Sequence, residues 1–265
     1  MSAEQPQPQA DQIDTTTPHS ARVWNFWLGG KDNYAVDQAL GSQLARSFPQ
    51  IIEIARASRA FQTRAVRHLA GEAGIRQFLD LGTGLPTANA THEVAQRAAP
   101  DARIVYVDND PIVLAHARAL LVGHPAGETN YVHADLTDPA AVLREAARTL
   151  DLNRPVAVML LSTLGHVTDD GGAAALVRGY LDALPAGSCL ILCDTVETPE
   201  SRAASDEWAE GGALPYVSRP AGTVLSFAAG LDLIEPGFGP ISLWRPDGPV
   251  PAEPVEQWGF VAVKP

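Results

Sequence analysis

The residues best suited to chemistry lie between positions 77 and 87, where the sequence reads QFLDLGTGLPT. An apolar segment runs into a turn at Gly82 and Gly84, and a helix-compatible segment, 88–99, follows. Glycine lacks a Cβ atom, so the backbone can turn sharply and a ligand can lie against it. A strand, a glycine turn and a helix in this order indicate a nucleotide-type ligand site.

Asp80, two residues before the first glycine, restricts the kind of ligand. A dinucleotide site of the G-x-G-x-x-G type holds a pyrophosphate at the helix N-terminus, and a nearby carboxylate would repel it. Thr87 also occupies the position of the third glycine. The pattern favours a ligand with a positive end, and S-adenosylmethionine, with its ammonium and sulfonium groups, fits. The alternative is a turn that only closes an ordinary βα unit.

A second acidic residue, Asp108, follows the next predicted strand, 24 residues beyond Gly84. A βαβ fold places the acceptor for ribose hydroxyls about 20 residues after the glycine turn. A carboxylate can accept hydrogen bonds from both hydroxyls. The alternative is that Asp108 only begins a turn, although Asp110 before Pro111 is the better N-cap for the next helix. Asn109 lies between strand and helix, where an adenine edge would lie.

The segment 155–161, PVAVMLL, is continuously apolar, which predicts a parallel strand buried on both faces. Ligands of open α/β sheets bind beyond the carboxyl ends of the strands, so Ser162 and His166 are expected to line the reaction site. His166 is a candidate general base, and a surface or capping role is the alternative. The other six histidines have no ligand spacing, so no metal site is predicted.

The N-terminal region divides into two predicted parts. Residues 1–17 are polar and contain little to bury, so we expect them to be disordered. Residues 18–34 read PHSARVWNFWLGGKDNY, and the aromatic residues before the glycine pair predict a short amphipathic helix that folds over the site as a lid. The alternative is an ordinary core helix. Residues 18–70 form the predicted lid segment of a single domain that spans 18–265.

Further along the chain, apolar residues at steps of three and four predict a helix over 50–70, and Arg59 on it is a candidate partner for a ligand carboxylate. The remaining pattern predicts a single α/β domain with a parallel, doubly wound sheet. Further helices are predicted over 170–184, 201–210 and 221–229. Strands or β segments are predicted over 103–107, 131–135, 188–193, 231–236, 241–244 and 258–263.

Composition excludes several classes of protein. The formal net charge of −12 would repel the phosphate backbone of a nucleic acid, so no nucleic-acid partner is expected. No run of 18 apolar residues and no secretory signal is visible, so neither membrane insertion nor export is predicted. Cys189 and Cys193 lie ~13 Å apart if they share one strand, too far for a disulfide bond. Two buried thiols suit a reducing cytoplasm.

Four motifs in order are ARVWNFWLGGKDNY, ARASRAF, FLDLGTGLPT and VYVDNDPIVLAHARALL. Together they resemble an actinobacterial family of S-adenosylmethionine-dependent methyltransferases that was first catalogued as a domain of unknown function. The resemblance covers 18–265. Pro86 stands where the class I motif usually has its third glycine, and Ser58 stands where the family has asparagine. The resemblance implies a Rossmann-like class I methyltransferase fold with a seven-stranded, mostly parallel sheet, helices on both faces and an N-terminal helical lid.

The resemblance also assigns site residues. It places Asp135 at the exocyclic amine of adenine and Leu136 against the ring, although an aspartate at a strand end that caps the next turn is an alternative. It implies an antiparallel last strand at 258–263. The predicted residues for S-adenosylmethionine are Arg59, Asp80, Gly82, Thr83, Gly84, Asp108, Asn109, Asp135, Leu136 and Ser162.

The predicted function is methyl transfer from S-adenosylmethionine to an unknown small-molecule acceptor. The sulfonium already makes the methyl group electrophilic, so the enzyme mainly has to align the reactants and exclude water. A hydroxyl acceptor would need a base, for which His166, Asp194 and Tyr34 are the candidates. One alternative is a non-catalytic sensor that binds the cofactor. A second, an NAD(P)-dependent oxidoreductase, is disfavoured by Asp80 and the missing third glycine.

Overall fold

The structure is a computed structural model that describes residues 14–86, 88–113, 123–249 and 253–265. One mixed sheet organises these residues, and its strands run in the order β3-β2-β1-β4-β5-β8-β6, with β7 paired to β8 off this path. The strands are β1 Gln77–Leu81, β2 Arg103–Asp108, β3 Glu128–His133, β4 Ala157–Leu161, β5 Cys189–Thr195, β6 Asp232–Leu233, β7 Gly239–Pro240 and β8 Gln257–Val263.

Helices connect the strands and cover the sheet. They are α1 Ser20–Trp27, α2 Ala35–Ser47, α3 Gln50–Gly71, α4 Thr91–Ala98, α5 Pro139–Ala146, α6 Asp170–Asp182, α7 Pro199–Glu210 and α8 Ala221–Ser226. Short 3₁₀ turns occupy Leu164–His166 and Ile241–Leu243. Residues 111–113 are helical, as predicted for a helix that begins at Pro111, and the rest of that predicted helix, with the end of the fourth motif, lies outside the described residues.

The direction of strand addition reverses at β1. From β1 the chain goes to its parallel neighbour β2 on one side, and it later returns to β4, the parallel neighbour on the other side. Such a switch point leaves a crevice beyond the carboxyl ends of the two central strands, because their connections leave in opposite directions. Asp80 and Leu81 end β1 at this crevice, and Leu161 ends β4 there.

Apolar side chains cover both faces of the sheet. Leu79 and Leu81 pack on one face with residues of α5 and α6, whereas Phe78 packs on the other with Phe61 and Leu69 of α3. All five residues of β1 and all seven of β5 are buried. Because side chains of a strand alternate between faces, a strand covered on both sides is largely apolar. This is the property that made the central strands visible in the sequence.

Several predictions of the fold are confirmed. The sheet is mostly parallel with helices on both faces, and β8 lies antiparallel to β5 with Leu192 opposite Phe260. The two cysteines are buried and unbonded. The strand number differs from the predicted seven, because the two-residue strands β6 and β7 both pair with β8 and bring the total to eight.

The prediction of a β segment over 241–244 is wrong. Residues Ile241–Leu243 form a 3₁₀ turn, and the buried Arg64 guanidinium donates hydrogen bonds of 2.7 Å to the carbonyl oxygens of Ile241 and Trp244. The charged side chain of α3 therefore satisfies backbone acceptors that would otherwise need a strand partner. Strand β3 also begins earlier than predicted and ends at His133, so Asp135 lies beyond it.

The N-terminal segment is helical as predicted, since α1 covers Ser20–Trp27. Residues 1–13 of the predicted disordered tail lie outside the described residues. Residues 14–17 differ from that prediction, because the Arg22 guanidinium donates to the carbonyl oxygens of Asp14 and Thr17 at 2.7 and 2.8 Å. Within the described ranges, no helix has the length and apolar character that crossing a membrane requires.

Candidate active site

A cavity of about 210 Å³ lies at the switch point, beyond the carboxyl ends of the central strands. All ten residues predicted to bind the cofactor line it, although they come from five separate parts of the chain. His166 lines it as well. Residues from α1 and α3 and from the segment after β4 complete the wall, among them His19, Ser20, Ala21, Trp24, Ser58, Gln62 and Thr163.

The glycine turn forms the floor of this cavity. Gly82 and Gly84 have φ angles of 69° and 67°, in the left-handed region that favours glycine. A Cβ atom on Gly82 would overlap the side chain of Thr163, whereas one on Gly84 would have Arg59 Nη2 as its nearest neighbour at 3.8 Å. Gly82 is therefore required for close packing of β1 against the end of β4, and Gly84 leaves space for a ligand.

Asp108 connects the end of β2 to the glycine turn. One carboxylate oxygen accepts from the Gly84 amide at 2.8 Å, and the other accepts from the Asp110 amide at 3.0 Å. Burial raises the pKa of Asp108, and these two backbone hydrogen bonds oppose that shift. Each oxygen keeps a second lone pair, so the carboxylate can still accept from ribose hydroxyls. The residue thus makes a turn contact and also faces the cavity.

Asp80 lies at the end of a hydrogen-bonded chain that starts on α3. Arg59 donates to Gln62 at 3.0 Å, Gln62 donates to the Thr91 hydroxyl at 2.6 Å, and Thr91 donates to Asp80 at 2.7 Å. Burial raises the pKa of Asp80 to about 6, although the Thr91 hydrogen bond and the Arg59 charge lower it. A cation bound beside this carboxylate would stabilise its charged form.

The wall after β3 carries Asp135 and Leu136. The carboxylate of Asp135 accepts from the amide and the hydroxyl of Thr137 at 2.8 and 2.7 Å, so it caps the turn as the alternative interpretation held. Asp135 also lines the cavity, as do the half-buried Leu136 and the exposed Asn109. One face of the cavity therefore combines an apolar side chain with polar groups, which suits a purine base.

Ser162 follows β4 directly and has a φ angle of 58°. Its amide donates to the carbonyl of Cys193 at 2.8 Å, and its hydroxyl accepts from Gln257 of β8 at 2.7 Å. A residue other than glycine in this region costs about 1–3 kcal/mol, and such residues concentrate at functional sites. The strained backbone places Ser162 and Thr163 on the cavity wall.

His166 ends the 3₁₀ turn after β4. Its Nδ1 lies 2.9 Å from the Pro215 carbonyl oxygen. A carbonyl can only accept, so Nδ1 carries the proton and Nε2 holds the lone pair of the neutral ring. Burial lowers the pKa of His166, and the hydrogen bond to Pro215 opposes this. The result is a neutral imidazole on the cavity wall, the form in which histidine accepts a proton.

The structure brings neither of the other two candidate bases to the cavity. Asp194 is fully buried, and its carboxylate accepts from the Tyr216 hydroxyl and lies 3.5 Å from Arg219 Nη1. Burial raises its pKa to about 6. Tyr34 precedes α2 at the surface, with the Arg22 guanidinium over its ring at 5.3 Å. His166 is the candidate base that remains.

Some cavity residues were missed in the sequence. Gln62 follows Arg59 by three residues on α3, a spacing that places both on one side of a helix and could have indicated it. His19 precedes α1, and its Nδ1 lies 3.1 Å from Asp110. Trp24 belongs to the aromatic motif but was assigned only to the lid. For His19 no local signal existed, because its partner is 91 residues away in the chain.

The charges on the cavity wall define the ligand it suits. Three carboxylates, Asp80, Asp108 and Asp135, face one guanidinium, Arg59. This balance opposes a pyrophosphate and fits a molecule with a positive centre, ribose hydroxyls and one carboxylate, which is the chemistry of S-adenosylmethionine. In the ranges that the structure describes, no three His, Cys, Asp or Glu side chains are grouped to hold a metal ion.

Two solved structures are similar to this chain over nearly the whole of both chains. The chain is 42% identical to a DUF574 family protein from Streptomyces avermitilis MA-4680, with a TM-score of 0.92 over 96% of this chain and 100% of that one. It is 39% identical to a candidate methyltransferase from Thermobifida fusca YX, with a TM-score of 0.88 over 95% and 96% of the two chains.

A more distant match supports the fold alone. It is magnesium protoporphyrin IX methyltransferase from Synechocystis PCC 6803, crystallised with bound S-adenosylhomocysteine, at 12% identity and a TM-score of 0.54 over 92% of this chain and 93% of that chain. No curated protein matches the chain. The sequence model described as S-adenosyl methyltransferase matches residues 6–265. Because this model spans nearly the whole chain, the chain belongs to the S-adenosyl methyltransferase family.

Proposed function

We propose that this S-adenosylmethionine-dependent methyltransferase acts on a hydroxyl group of a small molecule, with His166 as the general base. The observation that carries the proposal is the hydrogen bond from His166 Nδ1 to the Pro215 carbonyl oxygen. It fixes the neutral ring so that Nε2 has the lone pair, on a residue that lines the cavity at the switch point.

The other cavity residues are assigned to binding. Asp108 is suited to the ribose hydroxyls, Leu136 and Asp135 to the adenine, Arg59 to the carboxylate and Asp80 to the cationic end. Bound S-adenosylmethionine supplies an electrophilic methyl group on a sulfonium sulfur. The chain then has to orient the acceptor, exclude water and accept one proton. His166 is the residue that accepts the proton.

A small acceptor is favoured over a macromolecule by charge and by geometry. The net charge of −12 opposes approach of a nucleic-acid backbone. Residues of α1 form part of the cavity wall, so we propose that this helix acts as the lid over the reacting groups. The two buried, unbonded cysteines support the cytoplasm as the compartment.

The test uses His166→Asn, because asparagine can still donate to the Pro215 carbonyl but cannot accept a proton near neutral pH. The full-length protein is incubated with S-adenosylmethionine and a panel of phenols, alcohols, carboxylic acids and amines, and S-adenosylhomocysteine is quantified. We expect turnover of a hydroxyl compound to fall by a factor of about 10²–10⁴ in the variant. The dissociation constant for S-adenosylhomocysteine should stay within about twofold of that of the wild type.

The pH dependence provides a second readout. Burial lowers the pKa of His166. The base form is therefore present at and above neutral pH, and kcat/KM should rise with pH to a plateau reached by about pH 7.5. The exposed His124 supplies a matched control, since His124→Asn should leave the profile unchanged. Wild-type turnover in His166→Asn would contradict the role of the base, and cofactor binding without turnover of any acceptor would indicate a sensor.

A further inference from the structure

A second cavity, of about 50 Å³, adjoins the first. The two share three residues, Ser20, Trp24 and His166. We propose that the second cavity binds the methyl acceptor, and that this acceptor is a phenol with a single ring. The proposal rests on the proposed function, because it places the reacting hydroxyl beside the base assigned there.

Aromatic rings form a large part of the wall of this cavity. Trp24 and Trp27 of α1 pack edge to face with centroids 5.9 Å apart, and Trp27 lies 6.2 Å from Trp208 of α7. The His166 ring lies 5.2 Å from Tyr216 and 6.5 Å from Trp208. Such surfaces favour a flat aromatic ligand, which can stack on one ring and contact the edge of another.

The charge and polarity of the lining restrict the class of acceptor further. The lining contains neither a carboxylate nor a lysine or arginine, so the described wall offers no partner to a charged acceptor. Three of its hydroxyls already use their protons: Thr195 donates to Gln257 at 2.9 Å, Ser201 to the Val196 carbonyl at 3.0 Å, and Ser205 to the Ser201 carbonyl at 3.0 Å. These oxygens are left as acceptors for a ligand that donates. A neutral phenol meets both conditions, whereas a benzoate meets neither.

The size of the second cavity and the position of His166 in its wall restrict the acceptor further. The second cavity has about a quarter of the volume of the first, which disfavours a fused ring system. His166 lines both cavities, so its Nε2 is the group that a hydroxyl can reach from the acceptor side. The phenolic proton passes to Nε2 while the oxygen forms its bond to the methyl carbon. The electron pair of the broken methyl–sulfur bond stays on sulfur, which leaves S-adenosylhomocysteine and an aryl methyl ether.

The experiment compares phenol and catechol with cyclohexanol, benzoate, aniline and 1-naphthol in the full-length protein. S-adenosylhomocysteine release and the methylated product are measured together. We expect methyl ethers from the single-ring phenols and at least tenfold lower turnover for the other compounds.

Two variants, one that enlarges the second cavity and one that fills it, test whether the acceptor binds there. Trp208→Leu removes one aromatic wall, and Ala204→Phe fills the cavity with a ring. Each should raise KM for the phenol by about tenfold or more, with the affinity for S-adenosylhomocysteine unchanged. Trp258→Leu is the matched control, because Trp258 packs on Phe238 outside both cavities. Thermal unfolding of each variant identifies any loss that comes from instability.

The outcomes separate the two proposals. Methylation of phenols that neither Trp208→Leu nor Ala204→Phe weakens would overturn the second cavity as the acceptor site. Turnover of amines or aliphatic alcohols with no turnover of phenols would overturn the acceptor class and leave methyl transfer intact. Absence of S-adenosylhomocysteine with every compound would refute both this inference and the proposed function.

Discussion

Replacement of Asp108 by asparagine is the sharpest test of the cofactor site. The carboxylate accepts from the amides of Gly84 and Asp110 with different oxygens. Asparagine keeps one oxygen but turns an NH₂ group toward the second amide, so two donors face each other. The variant therefore loses one backbone contact and also the charge that would accept from the ribose hydroxyls.

The expected magnitude follows from these contacts. A hydrogen bond to a charged group contributes about 1.5–3 kcal/mol. Loss of one such interaction with the ligand raises a dissociation constant by roughly 10- to 150-fold, because 1.4 kcal/mol corresponds to a factor of ten. The disturbed turn at Gly84 adds to this effect, so the upper part of the range is expected.

Isothermal titration with S-adenosylhomocysteine at pH 7.5 measures the change directly. Thermal unfolding without ligand measures any damage to the turn. Asp182→Asn is the control, because Asp182 is exposed at the end of α6, away from the residues that line the cavity. If Asp108→Asn bound S-adenosylhomocysteine within twofold of the wild type, the assignment of Asp108 to the ribose would be wrong.

Two further predictions follow from the same structure. Gly84→Val should abolish detectable binding of S-adenosylhomocysteine in titration while far-ultraviolet circular dichroism stays unchanged. The added side chain points into ligand space, where the nearest atom to a Cβ is 3.8 Å away, and a branched residue strains the turn at a φ of 67°; retained binding would contradict this. Burial raises the pKa of Asp194 from 3.8 to about 6, so ionisation of this group destabilises the folded wild type as pH rises from about 4 to 6.5. Asp194→Asn cannot ionise, and it should therefore gain stability relative to the wild type over this range. In urea unfolding, the difference in free energy of unfolding between variant and wild type should rise to about 3 kcal/mol and then stay constant; a difference independent of pH would refute this prediction.

Much of the site was predictable because the sheet fixes where strand ends meet. Asp80, Asp108 and Ser162 each lie at or just beyond the carboxyl end of a parallel strand. Neighbouring parallel strands bring those ends to one edge, so residues far apart in sequence line one cavity. The buried strands were visible for a similar reason, since burial on both faces favours long apolar runs.

What the sequence could not show depends on partners that are distant in the chain. Asp194 also lies at the end of a strand, but it shares the face of Leu192 and meets Arg219, which is 25 residues later. That buried ion pair removes it from the cavity, and no local pattern indicates it. The role of His166 likewise depends on the Pro215 carbonyl, 49 residues away. The 241–244 segment was predicted to be a β segment, but Arg64 of α3, about 180 residues away in the chain, satisfies its backbone acceptors.

Helix α1 contributes Ser20 and Trp24 to the walls of both cavities, and His19 just before it lies 3.1 Å from Asp110. As the proposed lid, α1 would open both cavities in one movement. Spent cofactor and methylated product would leave by the same movement, so the order of departure follows from which molecule the helix uncovers first. The rate of the catalytic cycle would then depend on the first helix as much as on the residues that carry out the transfer.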